Sequence, residues 1–322
     1  MTTGPQESLD LGLLLAPELF DAKHFQCSPA EVDVMDPQHR LLLERGYASL
    51  RSAGFLRAEL VRSKTGVFLG MWPTDFDRVL VQRAATSTLL AVAGGCAIAA
   101  GRLSFCLGLN GPCIEIDVAS SSALAAVQAG VRALQDDDCS PASVSGTHLM
   151  FHPDTANNMQ AVGLLKASGR CYTWDHRASG IVFGEATLAV TLAASEQSST
   201  VVRGAIVRQD GRTAVMTAPN GLAQQMLYRD SVGRAGYTER EVDICALHGT
   251  GTSLGDPVEA SSLASAICAS YTEAPSMVTG IKAITGHTGA AGGLVAMLFL
   301  MFNLVEKKGH QHAQLRRYEP VR

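Results

Sequence analysis

The chain has 322 residues, 47% of them hydrophobic and only 17% charged, which is enough apolar material for a large core of about two domain equivalents. Its 26 basic and 30 acidic side chains are spread along the sequence and give a formal net charge of -4, which leaves a nucleic-acid role without electrostatic support. The eight cysteines form no CxxC pair and several sit in apolar runs, so they read as buried, reduced thiols rather than a disulfide framework. The N-terminus MTTGPQESLDLG lacks the charged-then-apolar order of a signal peptide, and a soluble protein of the cytoplasm or an organelle stroma is expected.

Apolar, β-branched runs predict strands at 65–70, 112–119, 188–192, 201–207, 242–249 and 276–283. Ala- and Leu-rich segments between them predict helices at 37–53, 88–101, 121–135, 221–236, 256–270 and 289–306. Such alternation implies an α/β fold built on largely buried parallel strands. The longest apolar stretch, 290–305, is broken by Gly292, Gly293 and Asn303 and is short for a membrane span, so a buried helix is expected. Asp136, Asp137 and Asp138 follow a helix and read as a solvated loop. The polar stretch Ser195 to Thr200 is the one convincing seam between halves.

Three segments carry chemistry. At 111–134 a β-branched run stops at Ala119 and a helical pattern starts near Ser121. Ser120 therefore lies at a helix N-terminus, where free N–H groups stabilise an anion, and where a serine can equally be a simple cap. At 246–260, ALHGTGTSLGDPVEA, a strand delivers His248 into a Gly/Thr turn. Asp256 there is expected to cap the next helix with Pro257 at its first position, and Asp256 and Glu259 read as structural. At 280–293, GIKAITGHTGAAGG puts Lys282 and His287 on one strand-to-helix connection, among glycines that permit close backbone approach. A metal is not expected: His148 and His152 are four apart, but HLMFH lacks a glutamate.

DVASSSALAAV (117–127) resembles the ketosynthase signature DTACSSSLVAV, with Asp117, Ala119, Ser121 and Ser122 in register and Ser120 on the family's nucleophilic cysteine. HGTGT with GDPVE, and GIKAITGHTGAAGG beside SVKSNIGHTEGAAG, resemble the two histidine motifs of the same family. FDAKHFQCSPAEVDVMDPQHRLLLERGYASLRSAGF (20–55) and QDGRTAVMTAPNGLAQQMLYRDSVGRAGYTEREVD (209–243) resemble further segments, the second typical of type I polyketide synthases rather than bacterial fatty-acid enzymes. The matches run from about Phe20 to about Val305, and the chain is identified as a member of the β-ketoacyl synthases.

The resemblance implies a thiolase-like fold, two βαβαβαββ halves in an α-β-α-β-α stack, here 1–195 and 196–322. It implies a homodimer joined near the nucleophile strand and an acyl carrier protein partner bearing acyl and malonyl groups on phosphopantetheine. No metal or redox cofactor is implied. In the family the cysteine takes an acyl chain, and a histidine pair promotes decarboxylation of the malonyl extender before the Claisen condensation of polyketide or fatty acid biosynthesis. Mapped here, Ser120 is the acceptor, His248 and His287 the pair, and Lys282 a charge supporting the second histidine, with Asp117, Asp256 and Glu259 as structural support. Neither the family's opening strand, IAIVGMACR, nor its GFGGTNAH oxyanion loop has a counterpart, so an uncovered sheet edge is expected.

Other departures are Phe183 for the arginine of VRGEG and Arg208 for the asparagine of NQDGR. A cysteine at a helix N-terminus reaches the thiolate without a dedicated base, whereas a serine hydroxyl does not. Condensing activity is therefore expected to be impaired. The alternatives are a malonyl-carrier decarboxylase that needs only the histidines, and a non-catalytic dimerisation or carrier-docking module. A serine hydrolase is disfavoured because ASSSA is no GxSxG elbow.

Overall fold

A computed structural model describes residues 11–161, 163, 165, 169–195, 198, 200–268, 277–309 and 312–316. Helices α1 (Pro29–Val34) and α2 (Pro37–Ser52) each begin with proline after a capping side chain: Ser28 accepts from the Glu31 N–H and Asp36 from the Gln38 N–H. There follow α3 (Arg57–Leu60), β1 (Gly66–Gly70), α4 (Phe76–Gln82), α5 (Cys96–Leu107) and β2 (Cys113–Ile116). Next come α6 (Ser122–Gln135), β3 (Ala142–His148), α7 (Pro153–Ala161) and β4 (Ala186–Leu192). The remainder supplies α8 (Gly221–Arg234), β5 (Ile244–Ala246), α9 (Gly255–Ala266), β6 (Met277–Thr279), α10 (Lys282–Thr285) and α11 (Gly292–Glu306).

The first sheet has the order β2-β1-β3-β4, with β4 antiparallel to β3 and the other pairs parallel. A second, two-stranded parallel sheet joins β5 and β6. Because side chains alternate across a strand, β1 sends Val67 and Leu69 toward α2 and α5, where they pack with Leu43, Leu50 and Leu103. Phe68 goes to the other face, against Ala123, Ala126 and Val127 of α6 and Leu294 of α11. On its far side α11 meets β5, and the second sheet is covered in turn by α8 and α9 through Tyr228, Val232, Leu263 and Ala266. The layers therefore run α-β-α-β-α, the thiolase-like arrangement, with α6 and α11 between the sheets.

The described residues depart from the sequence expectations in several places. Hydrophobic patterning does not predict strand β3: Ser143, Ser145 and Thr147 are fully buried toward α2, and their small polar side chains hide the strand from any reading based on hydrophobicity. Segment 201–207 forms no strand, because no strand among the described residues lies beside it to complete a ladder. The helix expected at 88–101 is split by Gly94 and Gly95 into a 3-10 turn at 88–92 and α5. The strand expected at 276–283 shortens to β6 and gives way to α10, its first residue lying outside the described set, as do 269–270 of the helix expected at 256–270 and part of the seam at 195–200.

Helix α11 is only half-buried rather than enclosed. It packs on α6, β4 and β5, while Phe302, Leu304 and Val305 face outward. With the turn before it, Gly289–Glu306 is long and apolar enough to cross a membrane by length and composition. All eight cysteines are free, but Cys113 on the edge strand β2 is exposed and only Cys139 and Cys171 are fully buried. The acidic run 136–138 is exposed. At the opposite edge of the sheet, β4 is half-exposed along its whole length.

Candidate active site

Ser120 reaches the site on the turn between β2 and α6. The Asp117 carboxylate accepts the Ala119 N–H at 3.0 Å, and the Ser122 hydroxyl accepts the Val118 N–H at 3.0 Å while donating to the Ala119 carbonyl at 2.6 Å. These bonds hold Ala119 at φ +54, a left-handed conformation that costs a residue with a Cβ. The turn sits close on the sheet because Gly70 has no side chain: a Cβ there would lie 2.3 Å from the Ala123 nitrogen. Ser120 itself is half-buried, in a 3-10 turn leading into α6.

His287 approaches from the second half of the chain. Its N–H donates to the Val182 carbonyl at 2.7 Å, and its carbonyl accepts the Gly184 N–H at 3.1 Å. That one-residue parallel bridge seats the imidazole, 4% exposed, against Phe183. The Ser120 Oγ to His287 Nε2 distance is 2.9 Å. On the opposite side of the ring, the Gly289 N–H donates to Nδ1 at 3.1 Å. Burial, with the Lys282 charge and the neighbouring imidazoles of His248 and His148, holds the His287 pKa well below the ordinary histidine range, so the ring is neutral at pH 7. A neutral imidazole whose Nδ1 is an acceptor carries its single proton on Nε2. His287 therefore donates to the Ser120 oxygen and has no lone pair there with which to take its proton.

His248 follows β5 and is itself exposed, on a loop whose neighbouring residues Leu247, Gly249 and Thr250 are buried, with its ring perpendicular to that of His287 at 5.4 Å between centroids. The surrounding protein and the Lys282 cation lower its pKa. Its backbone is gripped from two sides. The Glu259 carboxylate accepts the N–H groups of His248 at 2.6 Å and Gly249 at 2.8 Å, while the Lys282 ammonium donates to the His248 carbonyl at 2.7 Å. Burial raises the Glu259 pKa and lowers that of Lys282, and each charge offsets the desolvation of the other. Lys282 thus touches the first histidine directly and reaches the second through its field.

Asp256 does not cap α9. It is the second residue of that helix, and its carboxylate turns back to accept the N–H groups of Gly251, Thr252 and Trp174 at 2.9–3.2 Å. The loop after His248 offers several N–H groups that no strand or helix uses, and one buried carboxylate collects them. Phe183, His248, His287, Lys282 and Ser120 are brought together, whereas His148 and His152 diverge. His148 packs on Trp72 and Phe183, and His152 lies against Gln82. Trp72, which no motif signalled, enters the site's surroundings in this way. Among the described residues no group of three or more His, Cys, Asp or Glu could hold a metal ion.

A five-layer α/β fold that brings a serine and two histidines together defines a protein of the thiolase-like class. Residues 3–198 match the family described as Beta-ketoacyl synthase, N-terminal domain, and 199–316 match Beta-ketoacyl synthase, C-terminal domain. The chain belongs to the β-ketoacyl synthase family. It is 34% identical over 306 residues to a mycocerosic acid synthase-like polyketide synthase of Mycolicibacterium smegmatis, covering 91% of this chain and 14% of that protein. It is 38% identical over 298 residues to a reducing polyketide synthase of Aspergillus oryzae, covering 87% and 12%. The ketosynthase from module 6 of the bacillaene synthase of Bacillus subtilis 168 superposes with a TM-score of 0.86 at 30% identity, covering 97% of this chain and 55% of that one. The chain thus spans a small fraction of its curated relatives' length and about half of the solved ketosynthase chain.

Proposed function

We propose that the chain acts in polyketide assembly on acyl and malonyl groups held as thioesters on an acyl carrier protein. Ser120 takes the acyl-acceptor position, His248 and His287 donate hydrogen bonds to the malonyl thioester, and Lys282 supports both. In this reading residues 1–195 and 196–322 are the two halves of the duplication. Asp117, Asp256 and Glu259 shape the backbone that carries the site.

The observation that carries the reading is the double engagement of His287, with Gly289 N–H on Nδ1 and Ser120 Oγ 2.9 Å from Nε2. Loss of carbon dioxide from a malonyl thioester builds negative charge on the thioester oxygen, and a fixed, neutral N–H donor is what stabilises it. The same tautomer leaves the Ser120 hydroxyl without a base at this ring. An acyl transfer needs such a base, since serine is far too weak an acid to ionise alone. Condensation is therefore limited at the loading of Ser120, while decarboxylation is not. This favours a second reading, a malonyl-carrier decarboxylase, over full condensation. A homodimer paired through the exposed edge strand β2 is consistent with Cys113 and Ile114 facing outward.

The test uses malonyl-loaded carrier protein labelled at the free carboxyl. Release of labelled carbon dioxide, abolished by His287→Ala and unaccompanied by a β-ketoacyl product, is the expected result. No release above the carrier alone would leave only the docking module and overturn the proposal.

A further inference from the structure

We infer that Trp72, His148 and Phe183 form an aromatic clamp that positions the His287 imidazole and fixes which of its nitrogens carries the proton. The inference rests on the role given to His287 above.

His148 ends β3 with a ring that is 2% exposed and whose two nitrogens have no hydrogen-bond partner. It is perpendicular to Trp72 at 4.6 Å between centroids and lies 5.4 Å from Phe183. Phe183 is in turn 5.7 Å from the ring of His287. A buried imidazole that makes no hydrogen bond contributes through packing alone, at the desolvation cost of two polar atoms.

What it packs on is the turn that sets the tautomer. Gly289 adopts φ +49, and a Cβ at that position would stand 2.4 Å from His148 Cγ and 2.6 Å from Trp72 Cζ2. The turn's backbone therefore rests directly on the two rings, with its N–H aimed at His287 Nδ1. Close-packed contacts of this kind transmit displacement. If the rings are removed, the turn can settle inward and the N–H leaves Nδ1. Phe183 closes the other side, its backbone bridged to His287 and its ring filling the space between His148 and His287. In the resembling VRGEG pattern this position carries an arginine. Here a neutral ring stands there, so this side of the imidazole is held by shape rather than by a charge.

The experiment is long-range proton–nitrogen NMR of the whole chain labelled on histidine nitrogen, with the His287 signals assigned by their loss in His287→Ala. The unsubstituted chain should show His287 as the pure Nε2-protonated tautomer at pH 7. His148→Ala should give mixed Nδ1 and Nε2 forms and lower kcat for carbon dioxide release by on the order of ten- to a hundredfold, with KM unchanged. His148→Phe, which restores a ring without its nitrogens, should return both to the starting values. Phe183→Leu keeps the backbone bridge and provides the same readout if His148→Ala fails to fold.

A pure Nε2 tautomer in folded His148→Ala or Phe183→Leu would overturn the inference. So would a failure of His148→Phe to rescue folded His148→Ala. A chain that releases no carbon dioxide sinks the proposed function but leaves the tautomer measurement valid, so the two failures can be told apart.

Discussion

Replacing His148 with phenylalanine should change how stability depends on pH, by an amount the structure allows to be worked out. The ring is buried between Trp72, Phe183 and the Gly289 turn, and desolvation there depresses its pKa from 6.5 to about 4, with the Asp75 carboxylate pulling weakly the other way. A depressed pKa means that the folded chain refuses a proton the unfolded chain accepts. The stability contributed by the neutral ring is therefore fully present above pH 6.5 and is lost as pH falls toward 4. At about 1.4 kcal/mol per unit, His148 withdraws roughly 2 kcal/mol by pH 5 and roughly 3 kcal/mol by pH 4.

Phenylalanine cannot take that proton. Any packing difference that phenylalanine makes at this site is the same at every pH, so only the histidine contributes a pH-dependent term. Urea unfolding of both proteins at pH 7, 6 and 5 should show the unsubstituted chain losing about 2 kcal/mol relative to His148→Phe on acidification. Parallel curves across that range would refute the assignment of His148 as a buried neutral imidazole.

Glu259→Ala removes the acceptor of two N–H groups, on His248 and Gly249, and leaves the Lys282 ammonium without its nearby charge. A loss of about 2–5 kcal/mol is expected from the unsatisfied donors, read as a lower urea midpoint, with Glu259→Gln recovering part of it. Gly70→Ala would place a methyl 2.3 Å from the Ala123 nitrogen. Because backbone cannot give way as a side chain can, a loss of several kcal/mol or failure to fold is expected. An unchanged melting temperature would show that the Ser120 turn is not seated on β1 as described.

Much of the molecule was legible because its local signals agree with its packing. The spacing of Leu41, Leu42, Leu43 and Leu50 marks α2, and the strand-turn-helix change around Ser120 is written in the switch from Ile114 and Ile116 to Ala125 and Ala126. Strand β3 was hidden because a strand buried on both faces against small neighbours can be built from serine, threonine and glycine, which carry no hydrophobic signal. Asp256 looked like a helix cap from its place before Pro257, yet the side chain serves the loop behind it, a choice set by tertiary contacts that spacing does not encode.

The histidine motifs located His248 and His287 in the chain, but not the hydrogen bond from Gly289 that decides which nitrogen of His287 is protonated. The partnership of Trp72, His148 and Phe183 is likewise invisible in sequence, since the three residues come from separate segments and meet only through the sheet. Segment 201–207 reads as a strand on composition alone, and a strand needs a neighbour.

The central claim is that His287 is configured to donate a hydrogen bond through Nε2 and so offers Ser120 no base with which to accept an acyl chain. Intact-protein mass spectrometry after incubation with an acyl thioester tests it most directly. The chain as it stands should remain unmodified, whereas Ser120→Cys should gain one acyl group on residue 120. Stoichiometric acylation of Ser120 itself would contradict the account.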